Sequence, residues 1–535
     1  MIITQMKQIF LFTALCAVIL SATSCKKLDV PIESQYTTSN FPNTAADYAA
    51  LYGTMYSNLS SSFGVPYWRM QELSTDAAII PGRDGNFDDA GQYRQLHYHT
   101  WTFDHPNVIT IWQWGFGGIN NCNRLMNVTT GSTSTAAVKT AGIAEIRAMR
   151  ALYYFFMMDL YGNVPLIQSF PVNTLPGNET RANIYAFIEK ELLAVSQVLP
   201  AKTATNQVAV YGKPTKAMAF ALLEKMYLNA EVYTGVPKYT EAVAMADSVM
   251  KNTTYALDAK YSDIFDVNNG PQITETIFAI PYDQQIPGNQ ITRFGFFPAL
   301  APAYGIPNVG FSIAMSTTPD YYNRFNLSGD VRTSFWLAGP QYKPDANRKP
   351  DLTQPVYFSG TTTQININPI LTLLPGKPMD VGNTIFSQEE GVRSVKYWPD
   401  VNAIQATRLN GNDMPLLRLA DVMLMKAEAI LRGASPTAVN GEMQTPLLLV
   451  NKIRARAGAV AATSVDLNSL LDERARELSW EAWRRNDLIR YGQFETEYPL
   501  PNDVLSMNKD ITRRLYPIPS TELKLNTNLK QNPGY

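Results

Sequence analysis

The sequence predicts a mainly α fold. A scaffold of paired helices, residues 44–253 and 414–535, would carry a loop-rich insertion with short strands, residues 254–413. Apolar residues recur at the three- and four-residue spacing of amphipathic helices in both scaffold segments. Prolines interrupt the insertion so often that only short extended runs remain. Hydrophobic residues form 45% of the chain and charged residues 17%, proportions typical of a globular protein.

An export signal is predicted at residues 1–24. Lys7 precedes an apolar run at 9–20, and small or hydroxylated residues follow it. The run would extend only about 18 Å as a helix, short of the roughly 30 Å of a bilayer core, so it is not expected to span a membrane. Cys25 then resembles the lipid-accepting cysteine of a bacterial lipoprotein, and residues 25–43 would form a tether. Ordinary cleavage beside an incidental cysteine is the alternative.

Cysteine content and charge limit the chemistry further. The cysteines are Cys16, Cys25 and Cys122. Signal cleavage and lipidation would leave Cys122 without a partner, so the exported protein is expected to fold without a disulfide. The net charge of −1 argues against a nucleic-acid partner, because phosphate recognition needs a basic face.

Six segments before the insertion are predicted to be helices. They are residues 44–59, 108–127, 143–161, 183–199, 215–233 and 239–250. The third is apolar on nearly every face between residues 151 and 160, so it is predicted to be buried on several sides. Gly162 and Pro165 follow it, as expected at the end of a helix.

A degenerate tetratricopeptide repeat is predicted within this scaffold. Ala230, Tyr233 and Ala242 have the spacing at which small residues and a tyrosine let two antiparallel helices approach closely. Thr254 stands where that repeat usually has proline. A similar pair of helices is predicted at 415–431 and 447–457. Such pairs cannot bury their apolar faces alone, so they are expected to stack.

The last long helix is predicted at residues 470–492. Leu471, Ala475 and Leu478 line one face of it, and Gly492 would end it. Two tryptophans lie among its arginines. Their expected role is packing, because tryptophan rings and arginine stems at helical spacing usually cover core surface.

Aromatic residues concentrate in two loop-rich regions, the insertion and residues 63–103. Long loops on a rigid scaffold often carry binding residues, so these regions predict a ligand surface. The alternative for any single ring is that it packs a loop onto the helices. Residue type and loop position select the following ligand contacts: Trp68, Arg69, Arg83, Asn86, Phe296, Tyr304 and Trp336.

Metal and catalytic sites are not expected. All three histidines lie between residues 97 and 105, and the first two would point the same way on a strand. Zinc usually needs a third well-placed ligand, for which Asp104 is the candidate, but packing or surface histidines are the expected interpretation. Asp84, Asn86 and Asp88 imitate the start of a calcium loop. Asp89 and Gln95 replace its glycine and terminal glutamate, so an EF-hand is not expected and simple calcium binding is the alternative. With no recognisable catalytic motif, neither a cofactor nor an enzymatic activity is predicted.

Three ordered motifs near the C terminus closely resemble the signature of the RagB/SusD family of Bacteroidetes outer-membrane lipoproteins. They are VNKIRARAG at 450–458, a set within 474–488 and LYPIPSTELKLNTNLKQNPGY at 515–535. The set within 474–488 is Arg474, Glu477, Trp480, Glu481, Arg484, Asp487 and Leu488. A second set of residues resembles another signature of the same family: Arg147, Arg150, Ala151, Tyr154, Tyr161, Gly162, Pro165 and Leu166.

This resemblance implies a SusD-like fold and a nutrient-capturing lipoprotein on the surface of the outer membrane. Such a protein binds glycans and forms a lid on a SusC-like, TonB-dependent transporter, to which it delivers them. Signature residues such as Arg147, Tyr154, Arg474 and Trp480 are expected to belong to the scaffold. The alternatives are a RagB-like lid that captures peptides, a scaffold that binds only protein, and a surface glycoside hydrolase.

Overall fold

Helices dominate the computed structural model, so the predicted mainly α fold is confirmed. The structure describes residues 41–535 apart from 43, 286–288, 290, 307–311, 313 and 404–408. The predicted signal, Cys25 and nearly all of the predicted tether lie outside the described residues. No helix in the described part of the chain is long and apolar enough to cross a membrane.

Helices of widely different length form the scaffold. Before the insertion they are Ala45–Ser62 (α1), Trp68–Glu72 (α2), Gln92–His97 (α3), Pro106–Gly131 (α4), Ala136–Tyr161 (α5), Arg181–Ser196 (α6), Gln207–Val210 (α7), Lys216–Leu228 (α8), Ala230–Thr234 (α9) and Tyr239–Met250 (α10). Two short helices follow in the insertion, Ile291–Gly295 (α11) and Pro319–Tyr322 (α12). After it come Leu419–Leu431 (α13), Pro446–Arg456 (α14), Leu467–Glu477 (α15), Arg484–Arg490 (α16) and Ser520–Leu525 (α17).

The strands are short and pair two by two. They are Thr276–Ile280 (β1), Trp336–Leu337 (β2), Gly339–Pro340 (β3), Tyr342–Pro344 (β4), Pro350–Pro355 (β5), Asn366–Ile367 (β6), Arg393–Ser394 (β7), Met414–Arg418 (β8), Ala438–Val439 (β9) and Glu442–Met443 (β10). The antiparallel pairs are β1–β8, β2–β7, β3–β6, β4–β5 and β9–β10. Four of these ten strands lie in the short stretch from residue 336 to 355.

Close helix packing builds the first half of the scaffold. Helices α4 and α5 approach so closely that a Cβ atom on Gly118 would lie 2.4 Å from the ring of Tyr153. The predicted burial of α5 is confirmed, since every residue from 148 to 161 is buried. Gly162, with a positive φ of 71° that favours glycine, then ends the helix.

The repeat-like pair is present with one interruption. The predicted helix 215–233 is two helices, α8 and α9, because Asn229 leaves the helical conformation between them. Ala230 and Ala242 are fully buried, as the small positions of a close helix pair require. The second predicted pair is present as α13 and α14, but residues 414–418 form strand β8 because they pair with β1.

The predicted continuous helix at 470–492 is wrong. It is interrupted at residues 478–483, between α15 and α16, where Trp480 and Ala482 have φ of 59° and 65°. Bonds to distant residues replace the helical ones: Ala482 N donates to Glu72 Oε1 at 2.6 Å, and Trp480 Nε1 donates to Ala77 O at 2.9 Å. The charged residues on either side are buried and paired, as in Arg474 with Asp487 at 2.8 Å.

Candidate ligand-binding site

The insertion has a small hydrophobic core of its own, separate from the main core of the scaffold. Its fully or largely buried members are Phe296, Phe297, Leu300, Ala301, Ile306, Leu337, Phe358, Ile365, Ile367, Val395 and Ala403. Tyr304 and Trp398 pack on this core while remaining only partly buried. The core therefore holds two aromatic rings rigidly at its edge, where part of each remains accessible.

A pocket of about 110 Å³ opens beside these two rings. Four aromatic residues line it, Tyr304, Trp336, Tyr342 and Trp398, together with Gln341 and residues of the β2–β5 segment. The rings of Tyr304 and Trp398 are 5.4 Å apart and inclined by 39°. Two neighbouring rings inclined in this way form a curved apolar wall.

Polar groups on the lining residues lack protein partners. Within the described residues, the hydroxyl of Tyr304 and the indole N–H groups of Trp336 and Trp398 have no hydrogen-bond partner. Burial raises the pKa of Tyr304 above its ordinary value, so the hydroxyl is neutral and can donate. Aromatic faces combined with unpaired donors suit a ligand that has both C–H faces and oxygen atoms.

Tyr304 and Trp336 are the predicted ligand residues that the structure brings together in this pocket. Trp336 is only 7% exposed, and its ring also packs on Phe325 at 5.1 Å and Trp480 at 5.6 Å. Phe296 lies beneath the pocket, fully buried and 5.2 Å from the ring of Tyr304. It supports a ligand platform and offers no face to a ligand.

Trp68 does not belong to a ligand surface in this structure. It lies at the start of helix α2 and not in a loop, and only 2% of it is exposed. Its ring packs edge-on against Trp480 at 5.5 Å, and its Nε1 donates to Trp480 O at 2.9 Å. Because Trp336 contacts the same ring, Trp68, Trp480 and Trp336 form one continuous column of tryptophans.

The other predicted contacts lie away from the pocket. The guanidinium of Arg69 stacks on the rings of Tyr93 and Phe294, at 5.0 and 4.7 Å. Arg83 is 1% exposed and donates to Ser316 Oγ at 2.5 Å, so its charged end faces the interior. Burial, reinforced by the nearby Arg393, lowers the pKa of Arg83.

Asn86 is the exposed member of the predicted set. Its side chain donates to Asp84 O at 2.8 Å, and it lines a separate cavity of about 120 Å³ together with Arg83. In the same loop, Asp88 forms an ion pair with Arg94 at 2.8 Å. The described residues contain no group of three acidic, histidine or cysteine side chains positioned to hold a metal ion.

The histidines are buried packing residues. The first two do not lie on a strand, because His97 ends helix α3 and His99 has φ of 55°. Burial lowers the pKa of His97 to about 3 and that of His99 to about 4, so both rings are neutral. His99 stacks on Phe494 at 4.4 Å, and its Nε2 contacts Ser74 O at 2.9 Å.

Besides the cavity beside Asn86, three much larger cavities among the described residues lie outside the insertion core. Their volumes are about 570, 450 and 360 Å³. The largest has one aromatic lining residue, Tyr255, and the other two have two each. We take the smaller pocket as the candidate site because four aromatic rings and several unpaired donors converge there.

Tyr342, Gln341, Arg348 and Trp398 were not selected from the sequence. All four lie in the insertion that was predicted to bind the ligand, but nothing in their local sequence separates them from packed residues. Only the pairing of β4 with β5 and the position of the insertion core bring them beside Tyr304.

The chain is similar in sequence to two protein-family models and to several known proteins. The family model described as "SusD family" matches residues 274–535, and the one described as "Starch-binding associating with outer membrane" matches residues 34–228. The starch-binding protein SusD of Bacteroides thetaiotaomicron is 28% identical over 439 residues, which are 78% of this chain and 76% of that protein. A SusD-like protein of Bacteroides ovatus is 24% identical, over 94% of this chain and 84% of its own.

Solved structures share the fold. Surface glycan-binding protein A of Bacteroides thetaiotaomicron, solved in complex with laminarihexaose, superposes with a TM-score of 0.70 at 21% identity. The superposition covers 92% of this chain and 100% of that one. A SusD superfamily protein of Parabacteroides distasonis gives a TM-score of 0.69 at 20% identity, with 92% and 99% covered. At these identities the likeness is one of fold.

Proposed function

The chain belongs to the SusD family, and from this membership we propose that it is a cell-surface protein that captures glycans in the pocket of Tyr304, Trp336, Tyr342 and Trp398. The observation that carries the proposal is the convergence of four aromatic residues at one pocket in the insertion. Relatives named for starch binding and glycan binding support the same class of ligand. The protein would bind its ligand and release it unchanged, without catalysing a reaction.

Stacking supplies the affinity in this proposal. The C–H face of a sugar on an indole or phenol ring buries about 50 to 80 Å² of apolar surface, which contributes about 1 to 2 kcal/mol. Several such contacts, with hydrogen bonds to hydroxyls, would give roughly −4 to −7 kcal/mol, a dissociation constant of about 1 mM to 10 µM. Affinity in this range allows capture followed by release.

Delivery and location complete the proposal. Cys25 would carry the lipid that anchors the protein to the outer membrane, with the pocket outside the cell. A SusC-like, TonB-dependent transporter would receive the glycan. Family membership and the description "associating with outer membrane" for the model that matches residues 34–228 support this arrangement.

Calorimetric titration of the full chain in detergent against a panel of glycans, with a peptide digest in the same series, tests the function. We expect saturable binding of one glycan class. The calorimeter cell should contain no shortened glycan products afterwards. Trp398→Ala should weaken that binding at least about tenfold, the factor for about 1.4 kcal/mol of lost stacking. Phe386→Ala is the matched control, since Phe386 is 61% exposed and does not line the pocket.

Three results would contradict the proposal. Binding of peptides alone would assign the protein to peptide capture. Shortened glycan products would identify an enzyme. Unchanged affinity in Trp398→Ala would place the glycan elsewhere on the protein.

A further inference from the structure

Arg348 lies at the tip of the β4–β5 hairpin, where the hairpin reaches over the aromatic pocket. Asp345 Oδ1 accepts the backbone N–H groups of Asn347 and Lys349, each at 2.8 Å, which fixes the turn. Arg348 has φ of 63° within this turn. Its guanidinium lies over the ring of Trp398, 4.4 Å from the centroid. The backbone therefore directs one cationic group onto a ring of the pocket.

The charge on the pocket wall has a single sign. Among the described residues that line the pocket, Arg348 is the only charged one. Its Nη2 atom pairs with Asp266, which is not a lining residue. Its Nε and Nη1 atoms have no acceptor in the described part of the chain. Two charged donors thus remain for a ligand.

The ion pair with Asp266 can yield to a ligand. The side chains of Arg348 and Asp266 are 30% and 21% exposed, so water screens the attraction between them. The neighbouring acid Asp345 is engaged by the backbone of the turn. An anionic oxygen at the pocket would meet Arg348 without facing a carboxylate of the lining.

The remaining unpaired groups of the pocket are mainly donors as well. Within the described residues they are the hydroxyls of Tyr304 and Tyr342 and the indole N–H groups of Trp336 and Trp398, with the side-chain oxygen of Gln341 as an acceptor beside them. A set of donors beside one guanidinium favours acceptor oxygens, above all ionised ones, since hydrogen bonds to charged groups are the strong ones. Uncharged hydroxyls would accept from the free nitrogens of Arg348 less strongly than ionised oxygens would.

We propose that Arg348 makes this pocket selective for acidic glycans, whose carboxylate or sulfate group binds its free guanidinium nitrogens while a neighbouring sugar face stacks on the aromatic rings. This inference rests on the proposed glycan capture and names the class of glycan. A carboxylate belongs to a uronic acid residue and a sulfate to a sulfated sugar, and both offer the same anionic oxygens.

The test titrates the full chain in detergent with three oligosaccharide series, one of uronic acids, one sulfated and one neutral. We expect one acidic series to bind at least about tenfold more tightly than the neutral one, the factor for one charge-assisted hydrogen bond. Arg348→Gln should abolish this preference, Arg348→Lys should retain part of it, and raising the salt concentration should weaken acidic binding in the parent chain only. The thermal midpoint should change little, since the ion pair that Arg348 loses is partly exposed and screened by water.

Arg94→Gln is the matched control. Arg94 is 31% exposed and paired with Asp88, much like Arg348 with Asp266, but it lies outside the aromatic pocket. The preferred acidic series identifies carboxylate or sulfate as the group that is recognised. Equal binding of neutral and acidic series, or equal losses in both for Arg348→Gln, would overturn the inference and leave glycan capture standing. Absence of binding by all three would overturn both.

Discussion

Replacing Trp68 with alanine is expected to destabilise the protein and to leave glycan affinity unchanged. The indole is 2% exposed, packs on Trp480 and donates to the Trp480 carbonyl at 2.9 Å. Removing a buried indole costs about 3 to 5 kcal/mol, and the carbonyl left without a donor adds about 1 kcal/mol. Typical stabilities are about 5 to 15 kcal/mol, so this loss is a large fraction of the total.

Denaturant unfolding measures the free energy of unfolding, and calorimetry on the folded fraction measures glycan affinity. Trp68→Phe is the graded control, because it keeps a ring and loses the indole N–H, so a smaller loss of about 1 to 3 kcal/mol is expected. Trp398→Ala should give the converse profile, with weakened binding and a small change in stability. Unchanged stability with reduced affinity in Trp68→Ala would refute the packing interpretation and return Trp68 to the ligand surface.

Three further substitutions or conditions test the scaffold. Gly118→Ala should lower the free energy of unfolding by about 1 to 3 kcal/mol, because its Cβ would lie 2.4 Å from the ring of Tyr153, and Gly131→Ala, with open space around it, is the control in thermal unfolding. Burial raises the pKa of Glu72 to about 8, above its unfolded value of about 4.5, so its contribution to stability should be complete below pH 4.5 and lost as the pH rises through 8. Denaturant unfolding at pH 6 and 9 should show that loss, and Glu72→Gln should reduce it; an equal loss in the variant would assign the effect to another group. Burial alone would raise the pKa of Asp487, but Arg474 and Arg490 hold it below its ordinary value. The contribution of Asp487 to the free energy of unfolding is therefore present above the unfolded pKa of about 4 and is lost as the pH falls through the folded pKa. Asp487→Asn should therefore destabilise the protein more at pH 7 than at pH 3 in the same assay, and a larger effect at pH 3 would contradict the pairing.

Helical periodicity identified the scaffold because burial repeats every three or four residues in a packed helix. It failed at residues 478–483, where the apolar spacing continues through a turn that Glu72 and Ala77 hold from more than 400 positions away. No local pattern contains that information. The same limit explains why Trp68 was selected as a ligand residue and Trp398 was not. A tryptophan in a loop-rich region is equally consistent with exposure and burial, and these two differ only in what folds over them.

The hydrogen bond from Trp68 to Trp480 joins two residues that are 412 positions apart in the sequence. Trp336, which lines the aromatic pocket, rests on the same Trp480 ring. During synthesis, a nascent chain that has not yet reached residue 480 lacks the middle ring of the tryptophan column, however complete its first ten helices are. Maturation of the pocket must therefore wait until residue 480 has been synthesised, and a chain that stops before it should remain a substrate for chaperones and proteases.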